Sequence, residues 1–330
     1  MTDRGDGVEP TRVNFPPVLN GLDFLESTVT LLSAGEDVPP RNLKYAVVHL
    51  AAAVETLFKA RLALKDPALV WAFSLEYDAA KHATGAFQSC KWEEARKRVQ
   101  RECAPETTLL TPRYFKALAE MRNRFAHVGV QEDAITVEVL ITPVLDNMLD
   151  FVRTDLLPLA EDDEQTAAEE IMESLRPALG RIRKLVDLRM VSAKEDLSKG
   201  YIAIIACRTC AAFAVPISAD NTALSCLVCH TDMGTPRDAA WDIAGTSAHE
   251  VGSGGGDSPV WSCENCGEVE SVTHVPADTP LDDTEVTLLC LLCGVDFVGV
   301  CTFCLRAVTS FAIPESDMCS DCVDTTMRNF

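Results

Sequence analysis

Twelve of the fourteen cysteines fall into six Cys-x-x-Cys pairs, all after residue 206. Such a turn presents two thiolates from one side, and a second turn closes a tetrahedron around a soft metal ion. Taken in chain order, the pairs make three groups of four. These are Cys207, Cys210, Cys226 and Cys229, with 15 residues between pairs; Cys263, Cys266, Cys290 and Cys293, with 23; and Cys301, Cys304, Cys319 and Cys322, with 14. Two turns joined by a hairpin favour zinc over an iron–sulfur cluster on the same ligands. Four thiolates leave no position open for water, so each site is expected to be structural rather than catalytic. Sequential pairing is adopted because the segments repeat. "IIACRTCAAFAVP", "VWSCENCGEVESVTHVP" and "VGVCTFCLRAVTSFAIP" share an aliphatic residue three before the first Cys, a strand-like run after the pair, and a closing Pro. The alternative is interleaving of the second and third groups. "CLVCH" at 226–230 also fits a haem-attachment pattern, but its cysteines already have partners, and His230 is read as a surface residue or a donor to a metal-bound sulfur. Cys90 and Cys103 stand apart as ordinary thiols.

A second constellation lies in "EMRNRFAHVGV", residues 120–130. On a helical wheel of about 100° per residue, Phe115, Leu118, Met121 and Phe125 form an apolar stripe. Arg122 falls against it, and Asn123 and His127, four apart, share its rim. A guanidinium in that position needs an anionic or hydrogen-bonded partner. The plainer reading is a helix C-terminus capped by His127, with Arg122 in a structural ion pair. The richer one is a cleft, completed by another subunit.

The Arg-Asn-x-x-x-His pattern of Arg122, Asn123 and His127, on a helix near the end of a small bundle, resembles the HEPN superfamily, many of whose members are ribonucleases of toxin–antitoxin, antiphage and RNA-decay systems. The earlier helix "AVVHLAAAVETLFKARL" has a similar look, with Glu55 inside an apolar run. The resemblance covers roughly residues 16–158. It implies a metal-independent endoribonuclease, dimeric, that leaves 2′,3′-cyclic phosphate ends. In that role His127 would act as base or acid, Arg122 would steady the crowded phosphate, and Asn123 would orient either. His49 and Glu55 are candidates to line the cleft or pair with Arg122. Arg113, Lys116 and Arg124 are candidates to guide RNA, together with Arg96, Lys97 and Arg98 of the basic stretch "KWEEARKRVQREC". The other reading is an adaptor that binds protein or RNA without cutting.

These groups need elements to hold them. Helical periodicity and breakers predict a four-to-five-helix bundle over 16–158, after a disordered tail over 1–15. Thr111-Pro112 predicts an N-cap and first turn for "PRYFKALAEMRNRFAH", and Gly129 its end. Pro143 predicts a kink in the following helix. A helical connector is expected over 159–200, broken at Pro177 and Gly180. Zinc ribbons follow at 201–235, 259–296 and 297–330, with a flexible linker over 236–258 rich in Gly and Ser. The fold class is therefore α plus small β.

The net charge of −21 is divided unevenly. Residues 1–130 are near neutral, whereas 131–330 carry 12 basic against 34 acidic residues. From 207 onward only Arg208, Arg237, Arg306 and Arg328 are basic. A phosphate backbone is repelled there, so the ribbons are expected to meet a protein partner, or to cover and restrain a basic cleft. The start "MTDRGDGVEP" is polar and acidic, and no stretch approaches the ~20 apolar residues of a membrane span. A cytoplasmic protein is expected.

Overall fold

The computed structural model describes residues 13–35, 37–72, 75–197, 201–218, 222–254, 257–278 and 286–328. Most of the expected N-terminal tail lies outside them. The chain divides into two compact units, Met1–Leu175 and Arg176–Phe330. No helix among the described residues is long and apolar enough to cross a membrane.

The first unit is helical. Pro17 and Pro40 open α1 (Pro17–Leu32) and α2 (Pro40–Lys65) at positions where no backbone N–H is needed. Asp66 ends α2 in an extended conformation, and its side chain accepts from the Ala68 N–H. Two short helices follow, α3 (Ala79–Thr84) and α4 (Trp92–Arg98), the latter running into a π turn over Val99–Cys103. Then come α5 (Pro112–His127), α6 (Ala134–Phe151) and α7 (Asp162–Leu179). The core is aliphatic where α1 meets α2: Leu22, Leu25, Leu50 and Leu57 are fully buried. Gly21 permits that approach, since a Cβ there would lie 2.5 Å from Leu57 Cδ2. Phe58 on α2 joins α5 and α6 to the same core, with its ring 5.6 Å from that of Phe115 and 5.4 Å from that of Phe151.

Local signals on α5 and its neighbours were partly overridden. Thr111 occupies the N-cap position, yet its side chain makes no capping bond. The C-cap is Val128 in an extended conformation, so Gly129 is not the terminator. Of the expected stripe, Phe115, Leu118 and Met121 are buried and Phe125 is half-buried. α6 continues through Pro143, which can give no N–H to the Val139 carbonyl; Val139 is exposed, so water can serve it. Pro177 likewise sits inside α7, and the break comes only at Gly180.

The second unit begins with the end of α7 and α8 (Arg183–Leu197). Its strands are β1 (Ala203–Ala206), β2 (Phe213–Ile217), β3 (Leu224–Ser225) and β4 (Asp232–Gly234), followed after two helices by β5 (Val260–Cys263), β6 (Val272–Asp278), β7 (Val286–Cys290), β8 (Asp296–Phe297), β9 (Gly299–Val300) and β10 (Arg306–Val308). The two intervening helices are α9 (Pro236–Ala244) and α10 (Ala248–Gly254); α11 (Ser320–Arg328) closes the unit. With α1–α10, α11 makes eleven α-helices among the described residues.

The three cysteine segments are not separate beads. Strand β6 pairs with β7 along one side; along the other it pairs with β5 at its start and with β1 at its end. β10 joins β5 in parallel, Ala307 opposite Cys263. One eight-stranded sheet therefore runs through all three segments. The first part of the linker expected over 236–258 is a packed helix, α9, while α10 buries no side chain. Thr235 and Asp238 form a capping box at the start of α9, and Pro236, Ala239 and Ala240 are buried. Arg237 and Trp241 both reach Glu270 Oε2, at 2.6 and 3.0 Å. Alanine spacing on a short amphipathic helix outweighed the Gly/Ser texture that follows it.

Candidate functional sites

The cysteine groups assemble from repeated local geometry. After five of the six pairs the chain turns through a left-handed residue: Ala211, His230, Gly267, Gly294 and Leu305. In each of these turns that residue's N–H bonds back to the carbonyl of the first Cys, as Ala211 does to Cys207 at 2.7 Å. The first Cys in turn donates its own N–H to the carbonyl of the residue just after the left-handed one, as Cys263 does to Glu268 at 2.9 Å. The loop so formed aims both sulfurs one way. The sixth pair differs: Cys319 immediately precedes α11 and Cys322 lies within it. The third segment is therefore a turn closed by a helix rather than a ribbon with two matching turns.

In each group the four Sγ atoms lie within 4.8 Å of one another. Measured pairs are 3.6 Å for Cys207–Cys229, 3.7 Å for Cys263–Cys293 and 3.8 Å for Cys304–Cys319. A tetrahedron with zinc–sulfur bonds of about 2.3 Å has edges of about 3.8 Å, so the donor set fits a structural zinc ion. Backbone N–H groups of Cys266, Cys293 and Cys319 point at ligand sulfurs at 3.4–3.5 Å, as outer contacts of a thiolate site do. Hydrogen bonds from Cys210 and Cys226 lower the Cys207 thiol to about 7, while Cys210 is pushed far up by its three neighbours. A bound cation would remove that conflict by ionising all four. The first group is wholly buried, in a core shared with α9 and with α8, whose Arg189 donates to the Val228 carbonyl. Cys266 and Cys304 reach the surface. Cys90 and Cys103 belong to no cluster, and burial raises both thiols.

The polar groups of α5 are arranged quite differently. Arg122 is half-buried, and its Nη1 donates to Asn123 Oδ1 at 3.0 Å. Both line a cavity of about 420 Å³ between α2, α4 and α5. His127 is exposed at the end of α5 and does not line it. Glu55 does line it, but its ion pair is with Lys59 at 2.6 Å; no carboxylate among the described residues pairs with Arg122. His49 is turned toward α1, where Nδ1 lies 2.8 Å from Ser27 Oγ.

The expected RNA-guiding residues separate into two kinds. Arg96 and Arg98 are buried and hold the fold together. Arg98 donates to the Leu69 and Trp71 carbonyls at 2.6 and 2.7 Å; Arg96 donates to the Leu110 carbonyl at 2.8 Å and sits over the Phe115 ring. Lys97, Arg113, Lys116 and Arg124 stay at the surface, the last two near Glu120 and Glu132. Sequence reasoning passed over Trp92, which lines the cavity beside Lys91. It also passed over Asn147 and Asp155. These buried side chains accept the N–H groups of Leu110, Glu106 and Thr107, and so fix the loop leading into α5. An Asn and an Asp inside an apolar helical run were the available signal.

No protein-family model matches the chain, nor does any curated protein or any solved structure.

Proposed function

We propose that the helical unit is a metal-independent endoribonuclease of HEPN type, working as a homodimer in the cytoplasm. A stress, toxin–antitoxin or antiphage setting is the one we favour. The observation that carries this reading is the cavity in which Arg122 and Asn123 sit together, with no carboxylate among the described residues in an ion pair with the arginine and Glu55 held by Lys59. RNA brings its own nucleophile, the 2′-hydroxyl. His127 takes that proton; Arg122 holds the phosphate as charge builds on it; Asn123 fixes the arginine through the bond it accepts. The 5′-oxygen leaves with a proton from a second acid, and a cyclic phosphate remains. One imidazole cannot be base and acid at once, so a second His127, from a partner copy, supplies the other role. Large apolar side chains stand exposed on this unit at Val128, next to His127, and at Ile135 and Val139, one turn apart on α6. A second copy is the covering we assign to them. The cysteine clusters, loaded with zinc, keep the second unit folded and offer an acidic surface to a protein partner.

The test is cleavage of an end-labelled RNA by the full chain without added divalent ions, beside Arg122→Ala and His127→Ala. Loss of cutting in both folded variants, with cyclic phosphate ends from the parent, supports the reading. Absence of any cleavage by the parent sinks it. One observation favours the adaptor alternative: within a single chain His127 stands outside the cavity. RNA binding that survives His127→Ala in a protein that never cuts would establish that role instead.

A further inference from the structure

The cavity holds more chemistry than phosphate recognition uses. Besides Arg122 and Asn123 it is lined by Glu55 of α2 and by Lys91 and Trp92 at the start of α4. Phe58 meets Phe115, and Ala51 lines the same cavity as Arg122, so α2 and α5 run antiparallel. Glu55 therefore lies on the side of Arg122 away from His127. His127 is five residues past Arg122, about 7.5 Å along the helix axis. A phosphate held between those two leaves its nucleoside facing Glu55 and Trp92.

Resting on the RNA reading above, we propose that this cavity is a nucleobase pocket that prefers guanine. The half-buried indole of Trp92 gives the base a stacking wall. Lys91 beside it meets the adjoining phosphate. Glu55 sets the choice of base. Its Oε1 accepts from Lys59, which fixes the carboxylate and leaves Oε2 with acceptor capacity. A carboxylate donates nothing, so it suits two adjacent donors with no acceptor between them. Among the RNA bases guanine has two adjacent donors, N1–H and the 2-amino group. Adenine and cytosine place an acceptor beside their amino group, and uracil flanks its single N–H with two carbonyls; a carboxylate repels both arrangements.

The experiment is calorimetric titration of the full chain, carrying His127→Ala to prevent turnover, with GMP, AMP, CMP and UMP. GMP is expected to bind about tenfold or more tightly than the others. Trp92→Leu should weaken GMP about tenfold, Trp92→Phe should restore most of that loss, and Glu55→Gln should level the four nucleotides. Circular dichroism melts of each variant establish that it is folded. Equal binding of the four nucleotides overturns the proposal, as does a GMP preference that both Trp92→Leu and Glu55→Gln leave intact. Cleavage mapping of the parent chain separates the two readings. Guanine-selective binding with no cleavage keeps the pocket and removes the nuclease. Cleavage abolished by His127→Ala, without base preference, keeps the nuclease and removes the pocket.

Discussion

The two units place their polar groups by opposite means. In the cysteine unit each ligand pair is preset by its own short loop, where a left-handed residue and two backbone hydrogen bonds recur in five of six turns. In the helical unit α5 presents Arg122 and Asn123 side by side, but the polar and aromatic groups that share their cavity arrive from elsewhere: Glu55 from α2, and Lys91 and Trp92 from the start of α4. A site built from local turns survives small changes in packing. A site built between helices depends on how the helices are held.

The comparison breaks first at the cysteines. Cys210→Ser should unfold the second unit, because its sulfur is buried in the core shared by β1, β2, α8 and α9. A structural zinc site in a small domain supplies roughly 10–16 kcal/mol of apparent binding energy, much of it folding energy. Cys304→Ser, at the surface of a small peripheral cluster, should lose one zinc of three and leave the rest of the sheet protected. Zinc content and hydrogen exchange of the two variants decide this; equal collapse would show one cooperative block.

The difference also explains what could be read from the chain. The six Cys-x-x-Cys turns were legible from spacing alone, and their grouping in fours from the repeat of the segments, with the four sulfurs of each group close together in the fold. The span of α5, Pro112–His127, was legible from the proline at its start and the apolar period after it. The burial of Arg96 and Arg98 was not. In the sequence they belong to one basic stretch, but they are two apart on α4 and point to different sides; the 104–111 loop covers Arg96 and the 69–71 segment covers Arg98. The shared sheet was hidden for a similar reason: β6 pairs with β1 and β10 pairs with β5 across long separations, and nothing local in those strands names its partner.

In the helical unit the largest expected effect is catalytic. His127→Ala should lower RNA cleavage by about 10²–10⁴-fold, with the melting temperature unchanged, since the His127 side chain is exposed and makes no hydrogen bond among the described residues. A large drop in thermal stability would instead favour the helix-cap role. Arg98→Ala should do the reverse. It removes bonds to two backbone carbonyls and to Glu94, one carbonyl being fully buried, so about 3 kcal/mol of unfolding free energy should vanish. Exposed Lys97→Ala should change it by less than about 0.5 kcal/mol. Urea melts of the pair test the division of this basic stretch into structural and surface positions.

The smallest effect tests how α5 ends. If Gly129 closed the helix in a left-handed conformation, alanine there would cost about 1 kcal/mol. The structure gives the closing position to Val128 in an extended conformation, and Gly129 has no positive φ. A Cβ at 129 would meet nothing within 4 Å. Gly129→Ala should then raise stability by about 0.4–1 kcal/mol, because alanine narrows the unfolded ensemble without straining the native chain. Melting curves read this directly. A loss of 1 kcal/mol would return the left-handed cap to this helix end and move the backbone just past His127, the one candidate catalytic group whose position depends on how the helix stops.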